Sequence, residues 1–358
     1  MEIERGAAMR ILFDAYWWHA GPGANRTVQR ELIAAWGRRF PGDALVLALR
    51  HGAEAPDAPE GAQLVRTRLW PHALANRWEL PRLARRVDAD AMLVHNYAPA
   101  SGRSLVFLHD VMFEEHPEWF SAAERAYFSP MLPWARRAAA IATSTRTEAA
   151  RIARCAPSLP AAAVTGLWLP PGLLAEPRRP PAVPEGAGFA ITVGRLNVRK
   201  NLETVMLAAA RAARITPASP LYVVGSASHS GRASAVPEAA RAALDDGSIV
   251  LLDGVTDAEL AWLYARAALV VSLSLDEGFG MPAMEAASFG APLLVSDIAV
   301  YRETVGGYAS FVEPRDAAAA AQAIDATWQV RPSEDARRST VERHGWELAA
   351  ERLRAALR

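Results

Sequence analysis

The sequence predicts an α/β protein made of two Rossmann-like domains, each a doubly wound parallel sheet. Three observations lead to this prediction. The chain has 358 residues, too many for one ordinary hydrophobic core. Short apolar runs rich in β-branched residues alternate with helical periodicity in both halves, which indicates parallel sheets covered by helices. A stretch at 170–188 with six prolines and three glycines separates the halves and predicts an irregular connection.

In the N-terminal half, each predicted element follows from an apolar pattern. A first strand at 10–18 leads into a turn at 19–26, and a helix with one apolar face follows at 27–40. Further strands are predicted near 44–49, 63–68, 91–95, 104–109 and 141–144, with helices near 73–87 and 145–155. Segment 122–141 mixes aromatic residues with arginines, and it fits a packed amphipathic helix and a membrane-facing surface equally well.

The second half repeats the same alternation. Strands are predicted at 189–194, 220–225, 248–254, 267–273, 292–297 and 310–314. Helices are predicted near 202–215, 237–244, 257–266, 284–289, 299–305 and 316–328, with a last helix at 346–357. Six strands that are each followed by a helix predict a doubly wound domain.

Composition excludes several classes of protein. The formal net charge is zero, which argues against nucleic acid as the main partner. Residues 1–172 hold 20 arginines and 17 acids, a net charge of +3, so this half leans towards an anionic surface. The one cysteine, Cys155, excludes an internal disulfide and suits a reducing cytoplasm. We see no signal peptide and no uninterrupted apolar run that would span a bilayer, and we expect a cytoplasmic protein.

The stretch at 273–290 carries the strongest functional signal. An apolar strand ends in a turn with Gly278 and Gly280, where backbone N–H groups can approach a ligand. A helix start follows, which favours negative charge. Glu277 lies on the turn and Glu285 lies eight residues further on. Two carboxylates beside an anion-binding helix start suit a ligand with hydroxyls at both ends and phosphates between them, as in a nucleotide-sugar.

A second signal follows the first strand of the C-terminal half. Arg195 offers a planar fork for phosphate oxygens, and Lys200 offers a compact charge at the next helix start. Lys200 is the single lysine beside 38 arginines. Together they would offset the charge of a diphosphate without a metal, so we expect no metal or other cofactor. Arg199 we interpret as a solvated neighbour.

The N-terminal half offers weaker signals. Gly21 and Gly23 lie in a turn that resembles a nucleotide-binding loop, although an ordinary tight turn is at least as probable without a third glycine. His109 follows a buried strand and opens an acidic, aromatic loop, which favours a role in a site. The pair Asp88 and Asp90 precedes a strand, whereas ligands gather at the carboxyl ends of strands, so we interpret it as the solvated end of a helix.

The motifs GRLNVRKN and EGFGMPAMEAASFGAPLLVSD resemble the donor-binding core of retaining glycosyltransferases of family 4. The spacing from Glu277 to Glu285 is similar to that family's E-x7-E motif. The glycine turn near Gly21, the segment LHDVMFEEHPEWF and Trp346 before the last helix are similar too. The resemblance implies the GT-B fold, with two Rossmann-like domains that face a central cleft.

The resemblance also implies a role for each matching residue of the C-terminal motifs. Arg195 and Lys200 would grip the diphosphate of the donor. Glu277 would hydrogen-bond hydroxyls of the donor sugar, and Glu285 would hold the ribose hydroxyls. Backbone groups of the glycine turn would assist; its residues are Gly278, Phe279, Gly280 and Met281.

In the N-terminal half, the resemblance implies that the Gly21–Gly23 turn approaches the donor phosphate and that His109 lies near the sugar. The proposed catalytic residues are thus His109, Arg195, Lys200 and Glu277. The family's Gly-Arg-Tyr after the glycine turn is Ala24-Asn25-Arg26-Thr27 here, which leaves a role for Arg26 open.

These observations predict five parts of the chain. Residues 1–8 form a loose leader, 9–172 the acceptor-side domain, 173–188 the linker and 189–344 the nucleotide-sugar-binding domain. The helix at 345–358 is expected to cross back to the N-terminal domain.

We predict a retaining hexosyltransferase, with mannose from GDP-mannose as the first choice. The acceptor would be a glycan or a lipid-linked oligosaccharide, with peripheral contact at the inner face of the cell membrane. There are two alternatives: a nucleotide-sugar epimerase of the same fold, and a catalytically silent partner subunit that binds donor or glycan.

Overall fold

The computed structural model describes residues 7–21, 23–186, 188–225 and 236–358. Most of the predicted leader, at 1–6, lies outside the described residues. The chain divides into two compact units. The first contains the described part of Met1–Glu115, with Ala122–Leu167 and Gly345–Arg358, and the second contains His116–Ser121 and the described part of Trp168–His344.

The first unit is built on a seven-stranded sheet in which every neighbouring pair is parallel. Its strands are β1 (Arg10–Ala15), β2 (Ala44–Arg50), β3 (Gln63–Thr67), β4 (Ala91–His95), β5 (Ser104–Phe107), β6 (Ala140–Thr143) and β7 (Ala163–Val164), in the order β3-β2-β1-β4-β5-β6-β7. Its helices are α1 (Gly23–Arg39), α2 (His72–Leu74), α3 (Leu80–Arg86), α4 (Met112–Glu115), α5 (Ala122–Phe128), α6 (Met131–Ala135) and α7 (Arg146–Cys155). A π-helical turn at Ala75–Glu79 joins α2 to α3.

The second unit contains a six-stranded, all-parallel sheet. Its strands are β8 (Ala190–Val193), β9 (Leu221–Val224), β10 (Ile249–Leu252), β11 (Leu269–Ser272), β12 (Leu293–Ser296) and β13 (Ser310–Val312), in the order β10-β9-β8-β11-β12-β13. Its helices are α8 (Leu202–Ala209), α9 (Arg241–Asp245), α10 (Asp257–Arg266), α11 (Met281–Ser288), α12 (Ala299–Val305), α13 (Ala317–Thr327) and α14 (Glu334–Val341). The predicted doubly wound α/β class is confirmed, because this strand order is the Rossmann order.

The last helix, α15 (Trp346–Ala356), belongs to the first unit. Arg354 in α15 forms an ion pair at 2.9 Å with the buried Asp43, and Asp43 also accepts a 3.0 Å hydrogen bond from the indole of Trp36 in α1. An exposed pair, Arg38 with Glu347, joins the same two helices at 2.8 Å. Burial makes the Arg354 contact the stronger constraint, because exposed ion pairs contribute little.

Segment 122–141 is where the structure differs most from a single predicted helix. It forms two short helices, because Pro130 ends the path of α5 and precedes α6. Its aromatic side chains pack within the first unit: Tyr127 lies 5.4 Å from Tyr97 and Phe128 lies 5.5 Å from Phe113, measured between ring centroids. The structure therefore favours the packed interpretation of this segment.

Candidate active site

Two neighbouring strands of the second sheet bring the predicted donor-binding residues together. Strand β8 pairs with β11 in parallel, so the segments that follow them emerge at the same edge of the sheet. Residues 194–201 follow β8, and residues 273–280 follow β11. The carboxyl edge of an open parallel sheet is where ligands bind in doubly wound folds.

The segment after β8 is held in place by asparagines. Asn197 caps a 3-10 turn at Val198–Lys200 by accepting a 3.0 Å hydrogen bond from the Lys200 N–H. Asn201 then adopts a left-handed conformation, with φ at 51°, and donates a 2.9 Å hydrogen bond to the Leu273 carbonyl. The backbone N–H of Leu275 donates at 2.8 Å to the Arg199 carbonyl. These bonds fix the cationic turn against the end of β11.

Glu277 is the centre of a buried charge cluster. Lys200 Nζ lies 2.6 Å from its Oε1, and Arg199 donates at 2.6 Å to its Oε2. Ser274 adds a 2.8 Å hydrogen bond to Oε1. Burial alone would raise the pKa of Glu277, but the charges of Arg199 and Lys200 outweigh it and lower the pKa to about 2. Glu277 is therefore a fixed, ionised acceptor.

The same cluster corrects one sequence prediction and changes the expectation for another residue. Arg199 is not a solvated neighbour: it forms an ion pair with Glu277, and its side chain is only 25% exposed. Lys200 is paired with Glu277 as well, and burial lowers the pKa of Lys200 although Glu277 opposes that shift. Two cations thus orient one carboxylate.

Glu285 has a different environment from Glu277, because it lies within the short helix α11 whereas Glu277 lies in the turn before that helix. Its Oε2 accepts a 2.7 Å hydrogen bond from the Tyr264 hydroxyl in α10. Burial raises the pKa of Glu285 to about 7, against the opposing effects of Tyr264 and Lys200. The two glutamates of the E-x7-E spacing therefore differ in protonation at neutral pH.

The start of α11 presents free backbone donors. The N–H groups of Phe279, Gly280 and Met281 donate to no acceptor in the part of the chain that the structure describes. Pro282 follows within the first turn, where no N–H is needed. Free N–H groups at a helix start favour a negatively charged or hydroxyl-bearing ligand.

Gly280 makes this turn possible for two reasons. Its φ is +84°, and an added Cβ would lie 2.5 Å from the ring of Tyr301. Tyr301 is itself buried and hydrogen-bonded at 2.7 Å to the Ser272 hydroxyl, so it cannot easily move aside. The sequence signal for this glycine was its place between a strand and a helix.

We expect Gly280→Ala to lower the free energy of unfolding by about 2–4 kcal/mol, because the left-handed conformation and the contact with Tyr301 both oppose a methyl group. Urea denaturation of the purified protein measures this. Gly307→Ala is the matched control, since a Cβ there would meet nothing within 4 Å. Equal stability of the two variants would contradict the geometry.

Arg195 is the unpaired cation of this site. Its guanidinium is half-buried, and no described residue forms an ion pair or a side-chain hydrogen bond with it. Burial, together with the charge of Arg199, lowers the pKa of Arg195. A half-buried guanidinium without an anion is suited to take up phosphate.

In the first unit, His109 follows β5 and contacts another histidine. His95 Nδ1 lies 3.0 Å from His109 Nε2, so one neutral ring donates and the other accepts. Burial lowers the pKa of His95 to about 4, and burial together with the neighbouring His95 lowers the pKa of His109 well below its usual value. His109 is therefore a neutral hydrogen-bonding group at the carboxyl end of a strand.

A buried carboxylate supports this histidine pair. Asp14 Oδ2 lies 2.8 Å from His72 Nε2 and accepts 2.9 Å and 3.1 Å hydrogen bonds from the Asn76 amide and the His95 backbone N–H. Burial would raise the pKa of Asp14, but His72 outweighs it and holds that pKa well below its usual range. The sequence offered no spacing signal for this network.

The predicted glycine turn gives Gly21 a packing role. An added Cβ on Gly21 would lie 2.2 Å from the Trp17 ring, and Gly23 begins α1 with open space around it. Pro22, between them, lies outside the described residues. Donor contact by these two glycines stays a prediction.

Within the described ranges, no group of three or more His, Cys, Asp or Glu side chains could hold a metal ion. No helix there combines the length and apolarity that crossing a bilayer requires. Asp90 belongs to the Asp88–Asp90 pair, which we interpreted as the solvated end of a helix and not as a metal site. Its side chain accepts a 2.6 Å hydrogen bond from the Arg10 backbone N–H.

Residues 175–341 match the family model described as Glycosyl transferases group 1. Over this region, which lies in the second unit, the chain is similar to group 1 glycosyl transferases. The matched region contains the whole Arg195–Glu285 site. The resemblance found in the two C-terminal motifs is thereby confirmed.

Two curated relatives are mannosyltransferases. The chain is 41% identical over 68 residues to the O-antigen chain mannosyltransferase RfbU of Salmonella typhimurium, covering 19% of each chain. It is 29% identical over 134 residues to the O-antigen chain mannosyltransferase B of Escherichia coli, covering 36% of this chain and 34% of the relative. The matched part of the chain thus spans about a fifth of the length of RfbU and about a third of the length of mannosyltransferase B.

A solved structure extends the similarity of fold to the whole chain. WaaG, a glycosyltransferase involved in lipopolysaccharide biosynthesis, superposes with a TM-score of 0.65 at 15% identity, over 96% of this chain and 94% of that one. At that identity the comparison establishes the fold alone. It agrees with the predicted GT-B class.

Proposed function

We propose that this protein transfers a hexosyl group from a nucleoside-diphosphate sugar to an acceptor hydroxyl. One observation carries the proposal: a single sheet edge of the second unit combines an unpaired guanidinium, a fixed carboxylate and free N–H groups at a helix start. A donor of this class needs these three kinds of partner, for its phosphates, its sugar hydroxyls and its negative charge.

Each group has a distinct task in the proposed reaction. Arg195 takes the diphosphate, since it alone among the cations of this cluster has no carboxylate partner among the described residues. Glu277, held ionised by Lys200 and Arg199, accepts hydrogen bonds from sugar hydroxyls. As the bond between sugar and diphosphate breaks, negative charge grows on the leaving phosphate, and the cations stabilise it.

Two further residues, Glu285 and His109, have proposed binding roles. Glu285 binds the ribose hydroxyls of the donor and does so best as a carboxylate, whereas His109 hydrogen-bonds the sugar or acceptor as a neutral ring. The chemistry assigned to these residues is positioning and electrostatic stabilisation, so the reaction needs no protein nucleophile. We propose retention of configuration at the anomeric carbon, with the acceptor proton passing to the donor phosphate on the same face.

Mannose is the proposed sugar, and a glycan or lipid-linked oligosaccharide is the proposed acceptor. The support is that both curated relatives named above are O-antigen chain mannosyltransferases. GDP-mannose is therefore the first donor to test.

The test is to incubate the purified protein with GDP-mannose, UDP-glucose or dTDP-rhamnose, each with and without mannose-terminated oligosaccharides. We expect release of nucleoside diphosphate that depends on acceptor, and an axial anomeric linkage in the product by NMR when GDP-mannose is the donor. An isomerised nucleotide-sugar formed without acceptor would instead show an epimerase. Donor-induced thermal stabilisation without turnover on any acceptor would show a silent binding subunit.

A further inference from the structure

The large apolar side chains that are exposed are concentrated in one short part of the first unit. Of the eight such residues among those described, five lie between 64 and 78: Leu64, Leu69, Trp70, Leu74 and Trp78. Trp70 is 72% exposed and Trp78 is 48% exposed, and every other tryptophan of the described chain is less exposed than these two. Exposed apolar residues are normal when scattered, whereas a cluster marks an interaction surface.

The same stretch is strongly basic. Residues 64–86 contain six arginines and one acid. In the described part of the chain, no carboxylate forms an ion pair with five of them: Arg66, Arg68, Arg82, Arg85 and Arg86. Some exposed arginines elsewhere do have partners, such as Arg38 with Glu347 and Arg302 with Asp297.

The one acid in the stretch is used internally. The side chain of Glu79 accepts hydrogen bonds from the backbone N–H groups of Arg68 and Leu69, at 2.8–3.0 Å. This contact ties the loop that carries Leu69 and Trp70 to the helical segment that carries Trp78. We call the exposed residues of 64–86, with their arginines, the Trp–Arg face.

Helical spacing makes the Trp–Arg face continuous. Leu74, Trp78 and Arg82 are four residues apart along the helical run from α2 to α3, so they lie on one side of it. Arg82 donates at 2.8 Å to the Trp78 carbonyl, and the guanidinium of Arg77 lies 5.6 Å from the Trp78 ring centroid. The guanidinium groups of Arg77 and Arg82 therefore both lie close to Trp78 on this helical run.

We propose that the Trp–Arg face binds the surface of a bilayer that contains anionic lipids. Tryptophan prefers the boundary between headgroups and acyl chains, leucine inserts beside it, and unpaired arginines meet anionic headgroups. Nucleic acid is the poorer fit, because the three leucines offer no flat ring for base stacking. The proposal is independent of glycosyl transfer, and it places membrane contact on 64–86 because the aromatic residues of 122–141 are packed.

The test is cosedimentation of the full chain with vesicles at 0.15 M salt. We expect binding to vesicles with one-third phosphatidylglycerol and little binding to pure phosphatidylcholine. Trp70→Ser with Trp78→Ser should weaken binding by about tenfold or more through loss of buried apolar area. Arg82→Gln, Arg85→Gln and Arg86→Gln together should weaken it by about a hundredfold.

Matched controls come from the second unit. Leu251→Ser with Val330→Ser removes exposed apolar side chains, and Arg211→Gln, Arg214→Gln and Arg266→Gln together remove exposed, unpaired arginines. These controls should bind vesicles like the wild type, and all variants should keep the wild-type melting temperature. Equal binding to neutral and anionic vesicles, or undiminished binding by the Trp–Arg variants, would overturn the proposal. The proposal would also be overturned if the protein did not bind vesicles and instead formed a dimer or a complex with nucleic acid that the same substitutions disrupted.

Discussion

Lys200→Met should lower kcat/KM for glycosyl transfer by about a thousandfold, the loss expected when a preorganised charge at the transition state is removed. The methionine side chain keeps most of the lysine volume but removes the ammonium group. That ammonium lies 2.6 Å from Glu277, so the substitution also weakens the fixation of the proposed sugar-binding carboxylate. Initial rates with GDP-mannose and an acceptor measure the effect.

The same substitution should destabilise the fold, and this must be separated from the effect on catalysis. Glu277 and Lys200 are both largely buried, with 7% and 12% of their side chains exposed, but Arg199 would still compensate the charge of Glu277. We therefore expect a loss of about 2 kcal/mol in the free energy of unfolding, below the typical loss for a buried ion pair.

A double variant makes that separation. Lys200→Met combined with Glu277→Gln removes the buried Lys200–Glu277 charge pair. Arg199, which is 25% exposed, can then be hydrated, so most of the stability should return while transfer stays low. Arg211→Met serves as the control for removal of a cation, because Arg211 is exposed and lies beyond the end of α8, outside both motifs. If Lys200→Met retained wild-type turnover, the proposed site would be wrong.

The sequence predicted the strand and the turn that carry the site, because both depend on the local residue pattern. The run of apolar residues before Asp276 predicted a buried strand, and Gly278 and Gly280 predicted a turn into a helix; both are found, and the turn is left-handed at Gly280. All six strands of the second sheet follow the predicted pattern. In the first sheet the short β7 was missed, since two residues carry no detectable period.

The pairing of charges could not be predicted from the sequence. Lys200 and Glu277 are 77 residues apart, and their contact depends on β8 lying beside β11, an order that periodicity does not encode. Arg199 looked solvated because its neighbour Lys200 already explained the basic motif. The role of Tyr264 was equally hidden, since helix α10 gives a tyrosine only an ordinary buried position.

The different surroundings of the two glutamates lead to the second large effect. Glu285 has a pKa of about 7 in the folded chain, against an ordinary value of 4.5. The folded state therefore binds more protons than the unfolded state between these values, so the contribution of Glu285 to stability is present at low pH and is lost as pH rises through 7. The full loss corresponds to about 3 kcal/mol in the free energy of unfolding.

Glu285→Gln should remove this dependence, because the amide resembles the neutral acid and does not titrate. At pH 8 the variant should be more stable than the wild type by about 3 kcal/mol, and at pH 5 by only about 1 kcal/mol. Urea denaturation between pH 5 and pH 8 tests this. Over that range Glu277, with a pKa of about 2, remains ionised in the folded state and adds no comparable slope.

Donor binding should show the opposite trend, because the proposed ribose contact is strongest with the ionised carboxylate. In the wild type, the Kd for GDP-mannose by calorimetry should fall as pH rises through 7, whereas Glu285→Gln should bind weakly and without this step. Tyr264→Phe removes the 2.7 Å hydrogen bond that lowers the pKa of Glu285, so it should move the step to higher pH. Parallel pH profiles in all three proteins would exclude Glu285 as the titrating group, whereas the expected order would show that burial of this carboxylate trades stability at neutral pH for donor affinity.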